Sequence, residues 1–157
     1  MGEYKEINKL LDAAYAKTPA DIDDGYEEYI EILEEKSGRE TRGIYDLIQL
    51  HMTIESGGLG QAFDRGQYDQ LEGAIWFLDY VSSNEYAPLF GGVVNRILDI
   101  FNTAKDIEED FQRGDADEAY QMEYLSRLEA LDDEYRSICN FMLVRLEKFA
   151  LVKNSIE

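Results

Sequence analysis

Basic residues, cysteine, histidine and long apolar runs are all scarce in this 157-residue sequence. The single cysteine, Cys139, excludes an intrachain disulfide, and one Cys with one His cannot complete a structural zinc site within a monomer. No stretch approaches the roughly 18 apolar residues that span a bilayer. The N-terminal segment lacks the basic start and unbroken apolar run of a secretion signal. The sequence therefore predicts a cytoplasmic protein that does not enter a membrane.

Apolar and aromatic residues are plentiful, because 45% of the chain is hydrophobic and it contains eleven Tyr, seven Phe and one Trp. Disordered chains combine high charge with few such residues, so this chain is expected to fold. It is long enough to bury a core, and no linker or internal repeat divides it. We predict a single domain, residues 1–157, that is a monomer or a homodimer.

Acidic residues outnumber basic ones by 34 to 15, and the excess is concentrated in two segments. Residues 21–35 hold eight acids and no base, and residues 106–118 hold seven acids and one base. Such a field repels nucleic acid and anionic lipid and attracts basic proteins. The predicted partner-binding acids are Asp23, Asp24, Glu27, Glu28, Glu31, Glu35, Asp106, Glu108, Glu109, Asp110, Asp115, Asp117 and Glu118.

Apolar residues recur at helical spacing, and no useful length of chain alternates with period two. The pattern predicts an all-α bundle of about six or seven helices with a long C-terminal helix. The first five stripes contain Tyr4, Ile7, Leu11 and Ala14; Tyr26, Ile30 and Leu33; Ile44 and Ile48; Leu71, Ile75, Leu78 and Val81; and Phe90, Val94, Ile97 and Phe101. Asn84 is the expected N-cap of the fifth helix, with Pro88 in its first turn.

The last helix is expected to open at Asp115, because Glu118 three residues later completes a capping box. Its apolar stripe continues for about seven turns without a Gly or Pro, which suits a central strut for the other helices. The stripe consists of Leu128, Leu131, Tyr135, Ile138, Met142, Leu146 and Phe149.

The pair Gly57-Gly58 is expected to end the third helix, because glycine adopts the left-handed conformation at little cost. A short structural turn through Gln61 and Phe63 should follow. A phosphate-binding loop is the other interpretation of this glycine-rich box. Such loops follow a strand, whereas this box follows a helix and lacks a Gly-Lys-Ser/Thr ending.

Catalytic, metal-binding and cofactor-binding patterns are not found. The acidic run DIDDG starts like a calcium loop, but Tyr26 and Ile32 occupy the positions that require Gly and Glu. His51 is expected to be a core histidine that makes one hydrogen bond, and Cys139 a small buried hydrophobic residue. We predict that the protein is not an enzyme and has no catalytic residue, metal or cofactor.

The stretch IESGGLGQAFD, residues 54–64, resembles the signature of a bacterial helical family that includes acidic DNA-mimic proteins. In residue types that signature reads Glu-x-Asn-Gly-Gly-Phe-x-Gln-x-Phe-x-Asn. Residues 68–90 and 128–149 are similar to the family's central and closing helices, so the likeness covers about residues 44–150. Ser56 and Leu59 replace the family's Asn and Phe.

The resemblance implies a cytoplasmic protein that occupies the DNA-binding surface of a basic partner, such as a transcription regulator, and relieves repression. It implies no direct binding to nucleic acid. The alternative is a helical interaction or immunity-type protein whose basic partner does not bind DNA. Both interpretations fit the charge distribution, and only the identity of the partner separates them.

Overall fold

The computed structural model describes residues 4–19, 26–114 and 117–156, and every regular element in these ranges is a helix. The helices are α1 (Lys5–Lys17), α2 (Tyr26–Ser37), α3 (Arg39–Asp64), α4 (Tyr68–Ser82), α5 (Ala87–Phe90), α6 (Val93–Arg113) and α7 (Glu118–Ile156). The all-α prediction is confirmed, as is the long C-terminal helix. Among the described helices, none combines the length and apolar character that crossing a membrane requires.

The long helix α7 is the strut of the bundle, since it packs against α1, α3, α5 and α6. The predicted stripe of α7 faces inward: Leu131 is half-buried, and the other six residues are buried. Helix α4 completes the bundle between α3 and α6, and α2 lies on α1 and α3. Because α7 contributes one long apolar face, the shorter helices can bury their apolar stripes against it. They need not contact each other along their whole lengths.

Aromatic side chains fill the centre where α4, α5 and α7 meet. The ring of Phe149 lies 5.6 Å from those of Phe77 and Phe90, measured between centroids, and 5.0 Å from that of Tyr86. The Phe77 and Tyr86 rings each form a T-shaped pair with the Phe149 ring, an arrangement that aromatic quadrupoles favour. This cluster fixes the short helix α5 to the strut.

The start of α1 is capped by a side chain from the far end of the sequence. The Glu147 carboxylate accepts hydrogen bonds from the backbone N–H groups of Glu6, at 2.8 Å, and Ile7, at 2.9 Å. These are two of the N–H groups that a helix start leaves without intrahelical partners. The helix dipole also favours a carboxylate at this position. Helix α7 therefore packs against the core and also caps the start of α1.

Helix α3 is kinked at Gly58, where the predicted break lies. Gly58 has φ 83° and ψ 178°, which is not helical, whereas Gly57 is not left-handed. A short turn was expected after the break, but the chain instead forms a further helical segment that runs to Asp64. The helix can resume after the kink because the Asp132 carboxylate accepts a hydrogen bond from the Leu59 N–H at 2.8 Å. This bond caps the first turn of the new segment.

The predicted fifth helix was wrong in its extent, because glycines divide it into α5 and α6. Gly91 has φ 63°, a left-handed conformation that ends the short α5, and α6 begins at Val93. The prediction that Asn84 is the N-cap was also wrong, because α5 begins at Ala87 and Tyr86 stands at the N-cap position. The Asn84 Oδ1 instead accepts from the Tyr86 N–H at 2.8 Å, in the turn before the helix. Both helices keep the predicted apolar face buried, and the periodicity alone therefore did not show the interruption.

The predicted capping residue Asp115 lies outside the described residues. Within them, the Asp117 Oδ1 accepts a hydrogen bond from the Tyr120 N–H at 2.7 Å. Since α7 begins at Glu118, Asp117 stands at the N-cap position and bonds the third residue of the helix, as capping aspartates do.

Candidate acidic interaction surface

The first predicted acidic segment forms the outer face of α2. Glu27, Glu31 and Glu35 are exposed there, each one turn after the last. Glu28 is half-buried and makes contacts of its own. Buried residues Ile30 and Leu33 hold the opposite face against the bundle. Asp23 and Asp24 lie outside the described residues.

An acidic groove of about 240 Å³ runs between α2, α3 and α4. We use the name for the cavity lined by Glu27, Ile30, Glu31, Arg42, Asp46, Asp69 and Gln70. Four of these seven side chains are carboxylic acids and one is a cation. The groove therefore extends the acidic face of α2 inward, towards a buried carboxyl group that lies outside both predicted acidic segments.

That carboxyl group belongs to Asp46, which is only 1% exposed. Its Oδ2 lies 3.6 Å from the Arg42 Nε, beyond hydrogen-bonding distance, and packs where a side chain on Gly73 would otherwise stand. Burial raises the pKa of Asp46 to about 7, although Arg42 and Arg39 act to lower it. A weak signal was present in the sequence, since Asp46 interrupts an apolar stretch between Tyr45 and Leu47.

The second predicted acidic segment lies at the end of α6 and the start of α7. Asp106, Glu109, Asp110, Asp117 and Glu118 are exposed, as the surface interpretation requires. These five acids stand on two helices that pack against each other.

Glu108 was wrongly predicted to belong to the exposed set, because it is 5% exposed. Its carboxylate accepts a hydrogen bond from the Tyr124 hydroxyl at 3.0 Å and a longer one from the Tyr68 hydroxyl at 3.4 Å. A buried carboxylate is stabilised by such donors. Glu108 thus joins α4, α6 and α7 and does not present its charge to a partner.

Stacked aromatic rings hold the acidic ends of α6 and α7 together. The Phe111 ring stacks on Tyr124 at 3.9 Å and on Tyr120 at 5.7 Å between centroids. The Tyr120 hydroxyl also donates to the Asp110 backbone carbonyl at 2.6 Å. These contacts fix the relative positions of the acids on the two helices.

Helix α4 connects the two acidic regions. Asp69 lines the acidic groove, and one turn later Glu72 lines a second cavity of about 370 Å³ that also includes Glu108 and Glu109. Lys105 forms an ion pair with Glu72 in that cavity. The two predicted segments therefore border separate cavities, and α4 supplies carboxylates between them that the charge runs did not indicate.

One of the predicted structural-turn residues, Phe63, supports the second cavity. Phe63 is buried, lines this cavity, and lies 5.7 Å from the Tyr68 ring. The Ser56 hydroxyl donates to the Gln61 side-chain carbonyl at 3.0 Å across the exposed side of Gly57. The glycine-rich segment thus positions Phe63 beneath the site.

Residues 35–154 match the DMP19-like protein family, and the chain belongs to that family. The match contains α3 to α6 and all but the last two residues of α7, and therefore the second acidic region. Most of α2 lies before it. No curated protein and no solved structure matches the chain.

Proposed function

We propose that the protein binds the basic DNA-contacting face of a cytoplasmic DNA-binding protein, such as a transcription regulator, and competes with DNA for it. One observation carries the proposal. Exposed carboxylates on α2 and at the α6–α7 end stand on helices that pack together, and further acids on α4 lie between these two regions. The fixed positions of these charges on a rigid scaffold suit a partner surface that is itself shaped to a charged duplex.

The spacing of the charges supports a surface made of several helices. Duplex DNA carries one negative charge per about 1.7 Å of axis, whereas carboxylates at Glu27, Glu31 and Glu35 are about 6 Å apart along α2. A single helix cannot reach the charge density of DNA. Added rows from α4 and α6 bring the total closer to that of a phosphate backbone.

The three exposed acids on α2 keep their charge available for a partner, whereas Glu34 on the same helix pairs with Arg39 and Arg42. Within residues 4–19, 26–114 and 117–156, no ion pair involves Glu27, Glu31 or Glu35. The second region is partly neutralised, because Arg113 pairs with Asp110 at 2.8 Å. Long-range attraction should therefore be led by α2 and the acidic groove.

The decisive experiment is competition with DNA. A partner captured from the native host at low salt, in the presence of nuclease, is purified and tested for binding to this protein and to duplex DNA. We expect duplex DNA to displace the protein, and we expect affinity to fall steeply with salt because screening shortens the Debye length from about 10 Å at 0.1 M to about 3 Å at 1 M. A partner that binds both at once, or has no affinity for DNA, would leave the helical interaction or immunity-type module as the function.

A matched pair of variants tests where the charges act. Glu27, Glu31 and Glu35 are changed together to Gln, and a control carries Asp12→Asn, Glu129→Gln and Glu134→Gln, which are exposed on α1 and α7. Both remove three charges. We expect the α2 variant to associate at least about tenfold more slowly and the control to change little, since steering acts on the association rate. Equal losses would show a response to net charge alone.

A further inference from the structure

Three side chains with metal-binding atoms meet between α3 and α7. His51 and Glu55 lie one turn apart on α3, and Cys139 approaches from α7. The His51 Nε2 is 3.9 Å from the Glu55 Oε1, and the Cys139 Sγ is 3.4 Å from the same oxygen. All three ligand atoms lie within 4.8 Å of one another.

The second ring nitrogen of His51 is held by a buried phenol. Its Nδ1 lies 2.7 Å from the Tyr135 hydroxyl, and Tyr135 is fully buried. The prediction of a core histidine with one hydrogen bond is confirmed. Metal-binding histidines usually have their other ring nitrogen fixed by a hydrogen bond, which sets the ring orientation. The Tyr135 hydroxyl can accept from an Nδ1–H, and in that tautomer the Nε2 is free to bind a metal. The contact leaves the Nε2 directed towards Glu55.

Burial and charge both suit a divalent ion. His51 and Cys139 are buried, whereas the Glu55 side chain is 46% exposed and gives access from solvent. A thiolate, a carboxylate and a neutral imidazole carry two negative charges together, which balance one divalent cation. Neutrality matters here because an unbalanced charge is costly at a buried site.

We propose that His51, Glu55 and Cys139 form a zinc-binding site with a fourth position open to water. Tetrahedral zinc with bonds of about 2.0 to 2.3 Å separates its N, O and S ligand atoms by about 3.3 to 3.6 Å. The His51–Glu55 distance is about half an ångström longer than these values, and the Cys139–Glu55 distance is close to them. The His51 and Cys139 ligand atoms lie within 4.8 Å of each other, so these two side chains must approach by up to about 1.2 Å when the metal binds. Binding replaces the thiol proton of Cys139, which is released to solvent.

This site departs from the expectation that one Cys and one His exclude zinc. That expectation considered structural sites, which are closed by four thiolate or imidazole ligands, whereas open sites need three protein ligands and accept a carboxylate. The proposal does not depend on DNA mimicry. The cluster is formed by the core helices α3 and α7, and none of its residues lines the acidic groove or the second cavity.

Cobalt titration of the full, reduced chain gives a specific readout, because the chain has one thiol. We expect one equivalent of Co²⁺ to produce a thiolate-to-cobalt charge-transfer band together with the intense visible bands of tetrahedral cobalt. Addition of Zn²⁺ should abolish both. Carboxylates elsewhere on this acidic protein cannot produce the thiolate band, so its absence at saturating Co²⁺ would overturn the proposal.

Variants assign the three ligands. Cys139→Ser should remove the charge-transfer band, and Glu55→Gln and His51→Gln should each weaken Co²⁺ binding at least about 100-fold. Tyr135→Phe, which removes only the hydroxyl behind His51, should weaken it about 10- to 100-fold. Glu129→Gln is the exposed control and should bind as the wild type does. Circular dichroism shows whether each variant is folded. If the variants at the buried residues are unfolded, the result for Glu55→Gln alone decides the test. Unchanged affinity in Glu55→Gln would show that cobalt binds the cysteine without this site.

Discussion

The carboxylate of Asp132 and the backbone N–H of Leu59, 73 residues apart, form a 2.8 Å hydrogen bond across the α3–α7 interface. Leu59 is the first residue after the kink at Gly58, so its N–H has no partner in the preceding helical turn. Asp132 is 8% exposed and supplies that partner from the strut. The bond therefore couples the path of α3 to the position of α7.

Replacing Asp132 by Ala should lower the free energy of unfolding by about 1 to 3 kcal/mol, because a buried donor is left without an acceptor. Asp132→Asn keeps an oxygen in reach of the Leu59 N–H and should cost less. Urea denaturation of the two variants provides the comparison. Equal losses would mean that the negative charge, and not the hydrogen bond, stabilises this junction.

Gly58→Ala should destabilise the protein by at least about 2 kcal/mol, because an L side chain is strained at φ 83° and ψ 178°. The added Cβ would also meet the Asp132 carboxylate. Gly57→Ala is the matched control, since Gly57 is not left-handed and the atoms nearest to its added Cβ would belong to the adaptable Gln61 side chain. Thermal unfolding of both variants checks the prediction, and a Gly57 variant that is the less stable of the two would contradict it.

The buried Asp46 should make stability fall as pH rises. Burial raises its pKa from 3.8 to about 7, with Asp69 and Glu34 acting in the same direction and Arg42 and Arg39 opposing. Because the folded state holds this proton more tightly, the stabilisation is complete below pH 4 and is lost as pH rises through about 7.

Asp46→Asn isolates this contribution, since other carboxylates also titrate. Relative to the wild type, the variant should gain about 1 to 4 kcal/mol between pH 4 and pH 8, because each unit of pKa displacement corresponds to about 1.4 kcal/mol. Urea denaturation across this range is the measurement. Parallel pH profiles for the two proteins would show that Asp46 is ionised in the fold throughout.

Tyr124→Phe should cost about 1.5 to 3 kcal/mol, because it removes the shortest hydrogen bond to the buried Glu108 carboxylate. The stacking on Phe111 is retained. Tyr120→Phe removes an exposed hydrogen bond from the same aromatic stack and should cost about 1 kcal/mol or less. Equal costs, measured by denaturant unfolding, would indicate that Glu108 is stabilised mainly by other groups.

Helical periodicity predicted the fold because each helix buries one apolar stripe, and Ile7, Leu78 and Leu146 are buried as their spacing required. Periodicity did not reveal the break at Gly91, since the apolar face continues through both helices. It located Gly58 but missed the helical turn after it, because the capping carboxylate, Asp132, comes from a distant part of the sequence.

The candidate surface was only partly predictable, because a run of acidic residues in the sequence does not show which of the side chains face solvent. Exposure of Glu31 and Glu109 followed from such runs, whereas the burial of Glu108 depends on tyrosines from two other helices. Asp69 was missed because it stands outside both runs and reaches the surface through the packing of α4. The assembly of His51, Glu55 and Cys139 likewise depends on the α3–α7 interface, which spacing along the chain does not reveal.

The length of α7 has a consequence for local stability. Leu128 is the first buried residue of α7, and the ten residues before it, 118–127, are mostly exposed and extend the helix by about 15 Å. Backbone hydrogen bonds in this extension can break and re-form while the core stays closed, so their amide protons should exchange through local fraying and not through global unfolding. Because Tyr120 and Tyr124 in this extension stack on Phe111, these aromatic contacts, and not the main core, determine how often the acidic end of α7 opens.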